Sequence, residues 1–445
     1  LQVYLVQRGS KGRFFPGFHA FPGGALDPQD DTCEDPFRMA AARELWEETG
    51  LWVGPRQPDS QQRQSSWSDL LQKYPLALEQ LLPAGIRTTP EYALIRFRAQ
   101  FFLWLCPPEQ QAEFCQEELE EGSWWLLQEA IEAWQSGRLF WAAPTQDSLL
   151  ELARHPGDLL AAGRALSNYP EDTPDPIRVL PGLSYVPLET ETLPPARHTL
   201  CFLIGHERVL IVDPGSPDPE QLARLSAVLQ GRSVEAVLFT HHHGDHVGGL
   251  EWCRQQGWPL WGSQSTGQSL GVAWDRHLND GDRVQDWQVL HTPGHAAGHL
   301  ALWHSATGIL LSGDLVSGVS TILVPDEAGA MQAYLASLER CIALAPRLVM
   351  PSHGGPFGPS SGLLERTLAH RLQREAKVCR TLAAGPIAFE SLLARVYEDV
   401  QGVALELARI SLASHLRKLQ EEGRALQVNH QWCAQSQSTC RPDAC

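Results

Sequence analysis

The sequence predicts a multidomain chain of mixed class, part α/β and part α+β. Three observations carry that expectation: a length of 445 residues, a proline-rich stretch near the middle, and a late change from short β runs to long helical ones. One core rarely grows past about 250–300 residues, so two or three domains are expected. The divisions fall at 1–155, a linker and entry to the next unit at 156–195, a strand-rich unit at 196–360, a helical unit at 361–430, and a disordered tail at 431–445.

The run Leu1–Gln7 reads as a strand from its first residue, which leaves what precedes Leu1 open. A Gly/Pro-rich loop to Gly24 follows, then a helix from about Pro36 to Thr49, with Asp35 as N-cap, Pro36 in the first turn and Gly50 as the stop. Ala99–Leu105 and Trp124–Leu127 are strand-like. Pro156, Pro170, Pro174, Pro176, Pro181, Pro187, Pro194 and Pro195 mark the linker. Beyond it, Thr199–Ile204 and Arg208–Val212 suit a hairpin around Gly205, and Ala236–Thr240, Gln288–His291, Ile309–Ser312 and Leu348–Met350 are further strands. Each of those last four runs into a His or Asp. After Pro359 come the helices Leu363–Leu382, Phe389–Tyr397 and Leu405–Glu421 and the strand Ala425–Val428.

A formal net charge of −17 disfavours non-specific grip on nucleic acid or anionic membrane, so nucleic acid is a possible but not a favoured partner. No apolar run reaches the roughly 18 residues of a membrane span, and no signal-peptide pattern opens the chain. The ten cysteines, among them Cys33, Cys106, Cys201, Cys341, Cys433, Cys440 and Cys445, form no CxxC pair. This favours reduced thiols in a cytoplasmic compartment.

The segment Thr240-His241-His242-His243-Gly244-Asp245-His246 puts three imidazoles and a carboxylate at one strand end. His295, Asp314 and His353 follow at later strand ends, and Asp213 closes an earlier one. Imidazole and carboxylate are the ligands zinc takes in hydrolytic sites that keep an open position. A single histidine more often caps a loop, but an ordered set over several strand ends is far more specific. In this order the residues resemble the five motifs of the metallo-β-lactamase superfamily, over roughly residues 180 to 360. The resemblance implies an αββα sandwich and two zinc ions. His241, His243 and His295 would hold one ion and Asp245, His246 and His353 the other, with Asp314 bridging and a shared hydroxide attacking the substrate. It counts Asp245 as catalytic and has Asp213 orient the site rather than bind metal. Manganese or iron would suit the same ligands. His242, His291 and His299 are not assigned.

Upstream, Arg43-Glu44-Leu45-Trp46-Glu47-Glu48 sets three carboxylates on one helix face, where Mg²⁺ or Mn²⁺ could sit among them; a solvated acidic face is the plainer reading. With Phe21-Pro22-Gly23-Gly24 ahead of it, the segment resembles the core of the Nudix box. That family implies an α/β/α fold, metal on Glu44, Glu47 and Glu48, the last two also catalytic, Arg43 bracing the helix, and cleavage of a diphosphate. Asp35 stands where the family has Glu, and Gly24 lies several residues too far upstream, so an insertion lengthens the loop. Arg8, Arg13 and Gly17 before that motif resemble the coenzyme A diphosphatase branch, with Arg8 and Arg13 as phosphate-binding candidates.

Residues 363–428 are similar to a winged-helix extension in that superfamily, with Leu405, Leu412, Leu416 and Leu419 as its core side and Arg409, Arg417 and Lys418 left for the surface. Together these readings imply a bifunctional hydrolase acting on small molecules such as acyl-coenzyme A, by diphosphate cleavage at one end and ester or thioester cleavage at the other. Two alternatives stand beside it: an endoribonuclease, and a zinc hydrolase regulated by a nucleotide-sensing Nudix module. A homo-oligomer is left open.

Overall fold

The computed structural model describes residues 1–9, 15–32, 34–90, 92–93, 95–115, 119–402 and 404–435. The N-terminal unit holds β1 (Gln2–Arg8), β2 (His19–Ala20), β3 (Leu82–Thr88), β4 (Arg98–Leu103) and β5 (Leu119–Leu126) with helices α1 (Pro36–Thr49), α2 (Trp67–Lys73), α3 (Leu127–Gln135), α4 (Ala143–Arg154) and α5 (Leu159–Ser167). β1 pairs between β2 and β5, while β3 and β4 form a separate antiparallel pair. Helix α1 has the expected bounds. The Asp35 side chain accepts from Arg38 N, and Gly50 at φ +70 returns its N–H to Trp46 O.

The strands expected as isolated runs assemble into two sheets. β6 (Ile177–Leu180), β7 (Leu183–Glu189), β8 (His198–Ile204), β9 (Arg208–Val212), β10 (Ser233–Phe239), β11 (Leu260–Gly262) and β12 (Arg276–His277) form one, in sequence order across the sheet. β13 (Arg283–Val284), β14 (Trp287–His291), β15 (Leu300–His304), β16 (Ile309–Gly313) and β17 (Leu348–Pro351) form the other. Every residue of β8 is buried, and alternate side chains serve different cores. Leu200, Phe202 and Ile204 face the space between the sheets, and Cys201 and Leu203 face the helical layer. That layer contains α6 (Pro219–Leu229), α7 (Gly244–Val247), α8 (Leu250–Gln255) and α9 (Gln264–Leu270). On the opposite face α10 (Ala330–Ala343) and the start of α11 (Leu363–Ala383) bury Leu338, Leu363 and Leu364 against the second sheet, completing an αββα sandwich. Helices α11, α12 (Phe389–Val396) and α13 (Ala404–Glu421) close a core of their own with β18 (Ile387–Ala388), β19 (Ala425–Val428) and β20 (Gln431–Ala434).

Two expectations are corrected. Residues 156–195 are not a linker: they supply α5, β6 and β7, and β7 runs the length of β8 from Leu183↔Ile204 to Glu189↔His198. The prolines read as linker signals sit where no ladder bond is lost. Pro181 lies in the β6–β7 turn, and Pro187 pairs with Leu200 beyond the last residue that meets β6. The expected disordered tail begins with β20, which pairs with both β18 and β19; residues 436–445 lie outside the described set. Among the described residues no helix is long and apolar enough to cross a membrane, and Cys106, Cys115, Cys201, Cys253, Cys341, Cys379 and Cys433 are free thiols.

Candidate metal centre

Five strand ends bring the polar residues together. Asp213 follows β9, His241 and His243 follow β10, and Asp245 and His246 ride the single turn of α7. His295, Asp314 and His353 follow β14, β16 and β17. The sequence-predicted ligands converge as three sets whose donor atoms lie within 4.8 Å of one another: His241, His243 and His295; His241, His246 and Asp314; Asp245, His246 and His353. Asp314 stands between the outer two sets. Its Oδ2 is 3.6 Å from His295 Nε2, and its Oδ1 is 3.4 Å from both His246 Nε2 and His353 Nε2. His241 Nε2 faces His243 Nδ1 at 3.0 Å.

Hydrogen bonds behind the ligands determine which ring nitrogen each offers. His295 Nδ1 donates to Leu323 O at 2.6 Å and His353 Nδ1 to His198 O at 2.9 Å, so each turns Nε2 inward. Asp213 lies behind His246, with Oδ2 accepting from His246 Nδ1 at 2.8 Å and from Thr240 Oγ1 at 2.6 Å. The only proton of the Thr240 hydroxyl is thereby used, so that oxygen accepts from His241 Nδ1 at 3.0 Å and leaves His241 Nε2 unprotonated. His299, unassigned from sequence, accepts the Asp314 backbone N–H on Nε2 at 2.9 Å and bonds Thr292 Oγ1 through Nδ1 at 2.8 Å. Gly313 at φ +53 permits this, since a Cβ there would lie 2.6 Å from His299 Nε2. His291 turns away, with Nε2 donating to Ala297 O at 3.0 Å, and the His242 ring lies 4.7 Å from that of His243.

The electrostatics divide the centre. Burial, then neighbouring imidazoles, hold His241 well below the usual histidine range and draw His243 down to about 4. In the carboxylate-rich half, burial again opposes an imidazolium, yet Asp314 with Asp213 keeps His246 well above that range, and Asp314 with Asp245 raises His353 to about 10. His246 Nε2, His295 Nε2, His353 Nε2 and Asp314 Oδ1 are buried without a hydrogen-bond partner. Orphaned ligand atoms that converge on carboxylates fit bound divalent cations, whose charge would take the place of the imidazolium protons.

The upstream helix face is arranged differently. Arg43 bonds Asp30 through Nε and Nη2 at 3.0 and 2.9 Å, Ala25 O at 2.9 Å, Glu44 Oε1 at 2.9 Å and Glu47 Oε2 at 3.0 Å. Glu48 Oε2 accepts from Gly23 N at 2.9 Å, and Gly24 approaches Glu44 so closely that a Cβ would lie 2.4 Å from its carboxylate. Asp35, which stands at the family's glutamate position, caps α1 as its N-cap reading expects; the buried partner of Arg43 is Asp30, in the turn Pro28–Thr32. Arg8 lies within electrostatic range of Glu48, while burial lowers its pKa. Arg13 lies outside the described residues.

The sequence profile of the metallo-beta-lactamase superfamily matches residues 194–353, that of the NUDIX domain residues 1–143, and that of the beta-lactamase associated winged helix domain residues 389–432. A Beta-lactamase-like protein 2 homolog of Drosophila melanogaster is 28% identical over 250 residues, 51% of this chain and 83% of that protein. The Atrochrysone carboxyl ACP thioesterase of Aspergillus fumigatus is 29% identical over 191 residues, 41% of this chain and 44% of that one. The crystal structure of a Beta-lactamase domain protein from Burkholderia ambifaria superposes with a TM-score of 0.52 at 22% identity, covering 59% of this chain and 95% of the other, which shows a shared fold. The chain therefore joins a NUDIX domain, a metallo-beta-lactamase superfamily domain and a beta-lactamase associated winged helix, and this domain set makes it a metal-dependent hydrolase.

Proposed function

We propose that the chain is a bifunctional hydrolase. Its His/Asp centre would hold two zinc ions and cleave an ester or thioester, and its NUDIX unit, with Mg²⁺ or Mn²⁺ on Glu44, Glu47 and Glu48, would open a nucleoside diphosphate such as that of coenzyme A. The reading rests on one observation above all: four buried atoms on His246, His295, His353 and Asp314 converge on one another without a hydrogen-bond partner. His241, His243 and His295 would bind one metal and Asp245, His246 and His353 the other, with one Asp314 oxygen turned toward each. Metals bound there supply a Lewis acid for the scissile carbonyl and lower the pKa of water. The chain's own contribution is orientation: Leu323 O, His198 O, Thr240 and Asp213 aim the imidazoles of His295, His353, His241 and His246, and His299 holds the Asp314 backbone. Similarity to a fungal thioesterase supports a thioester as the bond cut.

The ribonuclease alternative requires cations free to meet a phosphate backbone. Arg409 is paired with Glu390, with Nη2 2.9 Å from Oε2, and Arg417 with Asp326 at 2.5 Å. Lys418, expected on the surface, is buried between Glu375 and Glu422, 3.0 and 2.7 Å away, because a carboxylate of α11 and one from the turn after α13 converge on it. Metal analysis followed by assays on acyl-coenzyme A, coenzyme A, nucleoside diphosphate sugars and short RNA decides between the readings. About two transition-metal ions per chain and thioester cleavage are expected. Absence of metal, or cleavage of RNA alone, overturns the proposal.

A further inference from the structure

His353 sits in a turn after β17, and the segment that returns from this turn meets the N-terminal unit. β17 ends at Pro351, and Phe357 comes back to pair with Val349 through two backbone bonds of 2.9 Å each. Within the turn Gly354 has φ +95, a backbone that side chains rarely adopt. Pro356 is buried in the wall of the N-terminal unit's cavity, together with Phe15 and Tyr92. Gly358 N then donates to Pro16 O at 3.0 Å.

Gly358 has an ordinary φ of −74, so its backbone would accept any residue. Space is what excludes a side chain: a Cβ there would lie 2.7 Å from Pro16 O and 2.9 Å from Gly17 C. From the other side, a Cβ on Gly17 would lie 3.0 Å from Gly358 C. The two backbones therefore touch with no side chain between them, and a close-packed contact of this kind transmits displacement. The N-terminal partner is itself held. Gly17 N donates to Arg8 O and Arg8 N to Phe18 O, both at 2.9 Å, which ties Pro16–Gly17 to β1, the central strand of its sheet. Phe15 keeps a φ of +47, a strained value that persists only where the surroundings impose it.

His353 is tied through Nδ1 to His198 O and through its carbonyl to Gly318 N, both at 2.9 Å. Those bonds orient the imidazole, while the path of the turn that carries it depends on where the returning segment rests. A metal ligand must stay within about 0.5 Å of its working position. Displacement of Gly358 would reach His353 along one short turn, whereas His241, His243 and His295 follow β10 and β14.

We infer that the N-terminal unit is part of the candidate metal centre: the Pro16–Gly17 backbone is a positioning element for His353, and through it sets how tightly the half-site of Asp245, His246 and His353 holds a divalent cation. This role rests on the two-metal reading of the centre and adds a reason for the two units to be joined.

The test is titration of the chelator-stripped full chain with Co²⁺, following the affinity of each ion by calorimetry. Gly358→Ala should weaken about tenfold the one ion that His353→Ala removes, and leave the other unchanged. Gly355→Ala lies on the same segment but has room for its Cβ, 3.8 Å from Tyr92 Cε2, and should change neither. Gly17→Ala presses on the contact from the N-terminal side and should give the same selective loss, which keeps the test if Gly358→Ala does not fold. Thermal unfolding checks the folding of each variant. Affinities unchanged in both contact variants, or lowered equally for the two ions, overturn the positioning role. Uptake of fewer than two ions by the wild-type chain overturns the two-metal reading, and the positioning role with it.

Discussion

Arg43 and Asp30 form a two-bond pair in which the aspartate side chain is fully buried and the arginine 5% exposed. A charge held so far from water is stable only while its partner remains, so removing Asp30 strands a guanidinium with Glu44 and Glu47 as its remaining anions. Asp30→Ala should therefore cost about 3–5 kcal/mol of folding stability. Asp35→Ala, which deletes only the α1 N-cap, should cost about 1 kcal/mol. Urea unfolding of the two variants measures the difference, and equal losses would mean that Asp35 does share the bracing of Arg43. Asp213 shows the same economy of contact. It holds a backbone φ of +52, unusual for a residue with a Cβ, while its carboxylate takes Thr240 N, Thr240 Oγ1 and His246 Nδ1 together.

At the scale of elements, α11 is joined to the candidate metal centre. Arg371 donates through Nη1 to Ser411 Oγ of α13 at 3.1 Å and through Nη2 to Ile322 O, one residue before the Leu323 carbonyl that orients His295. Its guanidinium also lies 5.4 Å from the Tyr334 ring, and the Tyr334 hydroxyl donates to Leu315 O, next to Asp314. Arg371→Met keeps the length of the side chain but loses these donors, and it should lower metal affinity about tenfold, the lower end of the effect seen when support behind a ligand is removed. Chelator competition measures this, and unchanged affinity would show that the loop at 322–323 holds itself. A second element-scale effect concerns pH. Burial opposes the Glu375 carboxylate, but His415, Lys418 and Arg424 outweigh it and bring its pKa down to about 2. A carboxyl group depressed in the folded state stabilises it above the ordinary value of about 4.3 and ceases to as pH falls toward 2. The helical C-terminal unit should therefore melt at progressively lower temperature from about pH 4.5 to 2, followed by circular dichroism, and Glu375→Gln should flatten that dependence.

In the whole molecule, the N-terminal and central units share one hydrophobic core, in which Val3, Phe18, Trp134 and Trp141 join Tyr185, Leu200, Phe202 and Met350. Polar bonds cross the same junction: Trp134 Nε1 donates to Val179 O at 2.8 Å, Gln146 Nε2 to Arg178 O at 2.9 Å, and Gly358 N to Pro16 O at 3.0 Å. Calorimetry should show these units unfolding in a single transition, since neither can separate without exposing the other's apolar surface. A fragment of residues 1–155 alone should be aggregation-prone. Two resolved transitions for these units would instead give the junction little energetic weight.

Where the physics is local, the sequence was sufficient. The bounds of α1 follow from Asp35, Pro36 and Gly50 within one turn of each end, and the ordered series from His241 to His353 marks candidate ligands because each lies a short loop or turn past the end of a strand. What depends on contacts between distant residues was not legible. His299 meets Asp314 across a hairpin, Asp30 reaches Arg43 because a turn folds it back, and the prolines of 156–195 suit a sheet only once Pro187 is placed beyond the last residue that meets β6. Composition and spacing report what one stretch of chain prefers; which donor meets which acceptor, and whether two units share a core, is decided when apolar surfaces from far apart are buried together.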